Sequence, residues 1–352
     1  MNRSPDTLRY IWFHLYPLAF RPGSVFDREA REAGNFRLAR SDSAAWTRWT
    51  WQRVEAGGMP CDSGGSTACR MQRVDTELRL ILPEPLAPGD TCRFVFAYTL
   101  RLPRIFSRMG RQGRDMVITQ WYPKPAVYDA VPPKHPPLDL PDSLYQGRTG
   151  FWHPDGYHYQ GEFYGEFGSF RVRINVPEAY TVAATGLQVT ADTLRDSTGT
   201  RIRRVYHADS VHDFAWVASP DWVVMDTMYR QIHLVIYAKK HRQSLYDTLR
   251  QELPRMFERL ETWYGPYPYP VFRVVDGPLA AGGGMEYPML VIVAPPHGFK
   301  RLYGLVGFTR MERLRTVTVH ELAHQWFYGI LANNELDEPW LDESWTSDAE
   351  KR

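Results

Sequence analysis

The run His320-Glu321-Leu322-Ala323-His324, with Glu343 following it, constrains this chain more than any other feature. Two histidines four residues apart become neighbours when the segment is helical, because i and i+4 stack one turn apart. The spacing predicts a helix over 313–328. Stacked in this way, two imidazoles can share one metal ion at about 2.0–2.1 Å from each nitrogen. Glu321 is rotated off that face, so it can reach a water beside the metal rather than the metal itself. A catalytic zinc takes three protein ligands and keeps one position open. Eighteen residues separate Glu343 from His324, enough to end one helix, turn, and start a second that returns a carboxylate. Read alone, the motif also fits an amphipathic helix with two histidines on its polar face. The surroundings favour the metal site: a strongly patterned helix, the pair Trp326-Phe327, and an acidic, aromatic segment at Trp340-Leu341-Asp342-Glu343-Ser344.

Composition narrows the remaining classes. A length of 352 residues suggests two domains, and 43% hydrophobic residues allow sizeable cores. Net charge is +2 with both signs mixed along the chain, so nothing points to nucleic acid or an anionic surface as partner. Aromatics make up 14%, many in short alternating runs that favour strands. No apolar run approaches the roughly 18 residues of a membrane span. Met1-Asn2-Arg3-Ser4-Pro5-Asp6 has no apolar core like that of a signal peptide. Localisation stays open, and an extracytoplasmic place is compatible with a start that lies further upstream. Cys61 and Cys69 bracket a Gly/Ser loop and read either as a hairpin-tip disulfide or as two free thiols. Cys92 sits in a strand-like run and reads as a small core residue.

Residues 1–239 read as mostly β, with strand-like runs at 8–15, 77–82, 93–100, 170–176, 181–184, 201–206 and 232–237. The Pro-rich stretch 130–149 reads as a surface loop. From Lys240 the pattern changes. Apolar residues at helical spacing run from His241 to Tyr264, with Pro254 inside expected to kink the helix. Short strands are expected at 272–275 and 290–293, and the domain boundary near 239. Between those strands lies Ala280-Ala281-Gly282-Gly283-Gly284-Met285-Glu286-Tyr287-Pro288. Glycines let a backbone come close to a ligand or another chain. A strand edge there could pair with a peptide, and Glu286 could bind a cation such as a free α-ammonium. On its own residues, the segment reads as readily as a turn with an unliganded glutamate.

Gly283-Gly284-Met285-Glu286, His320-Glu321-Leu322-Ala323-His324-Gln325-Trp326-Phe327 and Trp340-Leu341-Asp342-Glu343 together resemble the M1 family of zinc aminopeptidases, in residue types, order and spacing. Thr119-Gln120-Trp121-Tyr122-Pro123-Lys124-Pro125, Tyr164-Gly165-Glu166-Phe167-Gly168-Ser169-Phe170, Val182-Ala183-Ala184-Thr185-Gly186 and Asp213-Phe214-Ala215-Trp216 are similar to segments of that family's N-terminal domain. The resemblance implies a β-rich N-terminal domain, residues 1–239, on a thermolysin-like α+β catalytic domain, residues 240–352, here incomplete. It implies one zinc ion on His320, His324 and Glu343, with Glu321 as general base. Peptides with a free N-terminus would be the substrates, their ammonium held by Glu286 beside Gly283, Gly284 and Met285, with Gln120 assisting. Tyr287 and Ser344 depart from the family's common Asn and Gly. Family members continue through a long helical stretch after the third ligand, which carries an oxyanion-stabilising tyrosine. The 352 residues therefore read as a fragment or truncated product, expected to be a poor catalyst alone. A zinc endopeptidase and an inactive scaffold of the same fold are the alternatives.

Overall fold

The computed structural model describes all residues except 65–67, 135–148, 198, 281, 295–309 and 352. Most of the Pro-rich loop expected over 130–149, and Ala281, therefore lie outside the described residues. The chain forms two compact units. The first comprises Met1–Arg104, Gln120–Glu166 and Asn334–Asp337; the second comprises Ile105–Thr119, Phe167–Asn333 and Glu338–Arg352.

A seven-stranded sheet organises the first unit. Its order is Phe94–Arg101, Arg48–Ala56, Met59–Asp62, Cys69–Val74, Glu77–Leu86, Leu8–His14, Lys124–Pro125. The Glu77–Leu86 strand alternates, burying Leu78, Leu80 and Leu82 while Arg79 and Ile81 stay partly exposed. That is the period-2 pattern of a strand with one face on a core. The core gathers Ile11, Phe13, Leu15, Val54, Leu78 and Leu80. Cys61 and Cys69 are joined as a disulfide. Cys92 departs from expectation: it precedes the Phe94–Arg101 strand as a half-buried free thiol packed against the core's margin. Flanked by Thr91 and Arg93, both polar, Cys92 has no apolar alternation around it to hold it in the ladder.

His14, at the end of the first strand, is 2% exposed and stacks on Tyr16 at 4.6 Å. Burial, followed by the neighbouring Lys124 charge, pushes its pKa down to about 3, against a hydrogen bond with the Asp155 backbone that raises it. The folded state thus keeps His14 neutral at pH values where the unfolded chain protonates it. Its contribution to stability is whole above about pH 6.5 and falls below that, by about 1.4 kcal/mol per pH unit, until about pH 3. Denaturant titrations of the chain and a His14→Gln variant, from about pH 7.5 down to about 4.5, check this. The stability difference between them should shrink at that slope on the acid side. Parallel curves would show that folded His14 takes up a proton freely.

Among the described residues the second unit contains three sheets. One has the order Gly168–Pro177, Gly199–Val211, Leu187–Asp196; a second has Thr181–Ala184, Trp216–Ser219, Asp115–Ile118, Gly110–Gln112. The third positions the site and has the order Trp222–Tyr229, Ile232–Lys239, Val271–Asp276, Leu290–Val293, Gly284–Tyr287. Its three central strands are parallel, and the two outer ones antiparallel. Val271–Asp276 and Leu290–Val293 are buried at every position, as strands covered on both faces must be. The helix Gln243–Tyr264 is the crossover between the parallel strands Ile232–Lys239 and Val271–Asp276, and it is continuous through Pro254. The boundary expected near 239 falls inside this arrangement. Residues 222–239 read as β from sequence, but they are two strands of the sheet that Val271–Asp276 continues. Parallel pairing across a helix leaves no local mark in the sequence.

Candidate metal centre

The helix Arg310–Phe327 buries Leu314, Thr318, Leu322 and Trp326, at spacings of four that make one continuous stripe. It packs on the strands Gly284–Tyr287 and Leu290–Val293 and on the helix Gln243–Tyr264. The Trp326 indole donates to the Gly265 carbonyl at 2.9 Å. Past its end, Gly329 has no room for a side chain: a Cβ there would overlap the Gln325 carbonyl. After a turn, the helix Trp340–Lys351 packs back against the first, with Phe327 and Trp345 stacked.

This hairpin brings together the three expected ligands. His320 Nε2 and His324 Nε2 are 3.1 Å apart. Glu343 Oε2 is 3.4 Å from His320 Nε2 and 3.9 Å from His324 Nε2. A tetrahedral ion with bonds of about 2.0–2.1 Å separates its ligand atoms by roughly 3.3 Å, so these three fit one zinc-sized ion. Both rings are oriented for it. The His324 Nδ1–H donates to Asp342 at 2.5 Å, and the His320 Nδ1–H donates to Glu350 at 3.2 Å. Each imidazole therefore turns Nε2 toward Glu343. Thr346 ties the arrangement down, its hydroxyl donating to the Asp342 carbonyl at 2.8 Å.

Asp342, Thr346 and Glu350 did not emerge from sequence reasoning. They follow at intervals of four on one helix, a polar stripe aimed at the histidines. That spacing was available as a signal once the segment read as helical.

His324 is 1% exposed at its side chain, and His320 21%. Burial pulls the His324 pKa down, but Glu286, then Asp342 and Glu321, outweigh it and lift the value to about 10. For His320, burial is likewise outweighed, chiefly by the hydrogen bond with Glu343. That bond also holds Glu343 below the usual carboxylate range. The centre is thus a pocket of negative potential that favours a cation.

Glu321 and Glu286 are buried beside these ligands, at 4% and 5% exposure. Gly284 and Glu286 occupy alternate positions of one strand and so share a face. A Cβ on Gly284 would overlap the Glu321 carboxylate, so only glycine lets the strand lie this close to the catalytic candidate. A carboxylate oxygen of Glu286 lies within 4.8 Å of a ring nitrogen of His324. For Glu286 a strand edge and a turn were both open readings; it lies within a four-residue edge strand, whose described partner is Leu290–Val293. Gly283, with φ of 75°, precedes that strand, and Met285 points to its opposite face, 3% exposed. Gln120 is buried, with φ of 50°, and belongs to the first unit rather than to the one holding the histidines.

Comparison with known proteins bears on the same residues. Positions 249–352, which hold Glu286, both histidines and Glu343, match the model described as "Peptidase family M1 domain". Residues 249–352 belong to peptidase family M1. Human aminopeptidase B is 30% identical to this chain over 113 residues, which are 31% of this chain and 16% of that protein. The M1 fold extends over the rest of the chain. The crystal structure of an M1 zinc metallopeptidase from Deinococcus radiodurans aligns with 98% of this chain at TM-score 0.56 and 17% identity. A mutant of it bound to a Tyr-Ser-Ala substrate aligns at TM-score 0.59 and 17% identity. This chain spans 62% of the length of those M1 structures.

Proposed function

We propose that this chain carries the metal site and amine-recognition strand of a zinc aminopeptidase of family M1, acting on peptides with a free N-terminus. The observation that supports it best is the placement of two buried carboxylates beside a three-ligand site, Glu321 on the metal helix and Glu286 on the edge strand that packs against it. His320, His324 and Glu343 would hold one zinc ion. When bound, the ion supplies Lewis acidity, polarising a carbonyl and acidifying a water.

The protein's own groups do the rest. Glu321 takes the proton from the attacking water and passes it to the leaving amine. Gly284 keeps that carboxylate within reach of the substrate's backbone. Gly284–Tyr287, the outermost strand of its sheet among the described residues, offers backbone groups to an extended peptide, with Gly283, Gly284 and Met285 lining its path. Glu286 binds the α-ammonium, which fixes cleavage one residue from the end. Gln120 is assigned to the same amine by family resemblance alone. The neighbouring fold's capture with Tyr-Ser-Ala fits a peptide ligand of this kind.

The amine requirement is the testable part. An acetylated N-terminus would leave the Glu286 carboxylate buried without its cation, which costs several kcal/mol. Comparing hydrolysis of one tripeptide with free and acetylated N-termini should show loss of at least about two orders of magnitude on acetylation. Equal cleavage, or cleavage at an internal bond, would indicate an endopeptidase instead.

A further inference from the structure

We propose that Gln325 is a positioning residue that sets the register of the Glu286 strand against the metal helix, by templating the turn in which that strand ends. The proposal deepens the aminopeptidase reading and rests on it for its functional consequence.

Gln325 follows His324 directly, yet its side chain points away from the ligands and is fully buried, at 0% exposure. Its amide spans one turn of backbone. Gln325 Oε1 accepts from the Met289 N–H at 2.8 Å, and Nε2 donates to the Tyr287 carbonyl at 3.2 Å. Tyr287 pairs with Leu290, so Pro288 and Met289 alone form the hairpin loop. Proline fixes its own φ near −65°, which suits the first loop position. Met289 has a φ of 60°. The combination has the pattern of a type II turn, whose second loop position normally takes glycine or asparagine because φ is positive there. A methionine in that conformation is strained and persists only when its surroundings over-determine it. The Gln325 amide, holding the groups on both sides of Pro288, supplies that constraint.

The consequence lies in register. Gly284 and Glu286 face the histidine helix, while Met285 and Tyr287 face away. A slip of one residue would exchange the two sets. Glu286 would then leave the ligand side, and Met285 would meet Glu321. Because Gln325 and His324 are adjacent on one rigid helix, the amide ties the height of Glu286 to the metal ligands without touching substrate.

The test uses Gln325→Met, which keeps length and burial but has no amide, and Gln325→Glu, which keeps the acceptor for Met289 and loses the donor to Tyr287. A third variant adds Met289→Gly to Gln325→Met, since glycine adopts the positive φ unaided. Each is read in three ways: zinc equivalents by metal analysis, calorimetric affinity of the zinc-loaded protein for a free-amine against an N-acetylated tripeptide, and hydrogen exchange of amides 285–289. Gln325→Met should keep its zinc, lose about tenfold or more of the preference for the free amine, and exchange those amides about tenfold faster. Gln325→Glu should lie between, and Met289→Gly should restore both readings. Unchanged exchange and unchanged preference in Gln325→Met would overturn the proposal. If the unaltered protein shows no preference for the free amine, the aminopeptidase reading fails, and exchange with its rescue by Met289→Gly still decides the clamp.

Discussion

Glu321→Gln is expected to keep its zinc and to lose about 10²–10⁴-fold in kcat. The side chain is 4% exposed, at the centre of the second unit's polar cluster, and Gly284 has no Cβ so that the carboxylate fits. Glutamine matches glutamate in shape, so the strand need not move. An amide does not accept the water's proton, and that single deficit is what the substitution isolates. Since Glu321 is not among the ligand atoms that converge, zinc content should stay near one equivalent. Paired assays of metal content and turnover check both halves. Normal turnover would remove Glu321 from the proton's path, and loss of metal would mean that it holds the ion rather than the proton.

His324→Ala is expected to abolish tight zinc binding. His324 is the inner ligand: 1% exposed, 3.1 Å from His320, and anchored by Asp342. Its removal takes away one of three ligands and leaves Asp342, itself 0% exposed, without the ring that donates to it. Two ligands rarely hold zinc against competition, and the partly exposed Glu343 adds little pre-organisation by itself. Asp342→Asn separates orientation from ligation. It leaves three ligands but weakens the hydrogen bond that sets the His324 tautomer, and such changes typically cost 10–100-fold in metal affinity. Competition with a chelator of known affinity should therefore rank the unaltered protein, Asp342→Asn and His324→Ala in that order. Full zinc in His324→Ala would place the ion elsewhere.

What the sequence disclosed divides along physical lines. The histidine helix and Glu343 were legible because i, i+4 stacking and a helix–turn–helix spacing are local properties. So were strands such as Leu8–His14 and Leu290–Val293, whose apolar content is dense. The strand Leu187–Asp196 was not read: Leu187, Val189 and Ala191 alternate with polar residues, but the run is exposed along almost its whole length and its second half is mostly polar. For Glu286 the sequence left strand edge and turn both open, because its strand is only four residues long and starts at the last of three glycines. No separate role was read for Gln325, whose hydrogen-bond partner Met289 lies in a turn 36 positions earlier in the chain. The pairing of Ile232–Lys239 with Val271–Asp276, across the position expected for a boundary, was hidden for a similar reason, since the whole helix Gln243–Tyr264 lies between the two strands.

The most direct test is an anomalous difference map at the zinc absorption edge, from crystals of the protein grown with the metal. One peak is expected, within about 2.0–2.2 Å of His320 Nε2, His324 Nε2 and a Glu343 carboxylate oxygen. A peak that lacks any of these three neighbours, or its absence from a map of zinc-replete protein, would contradict the assignment.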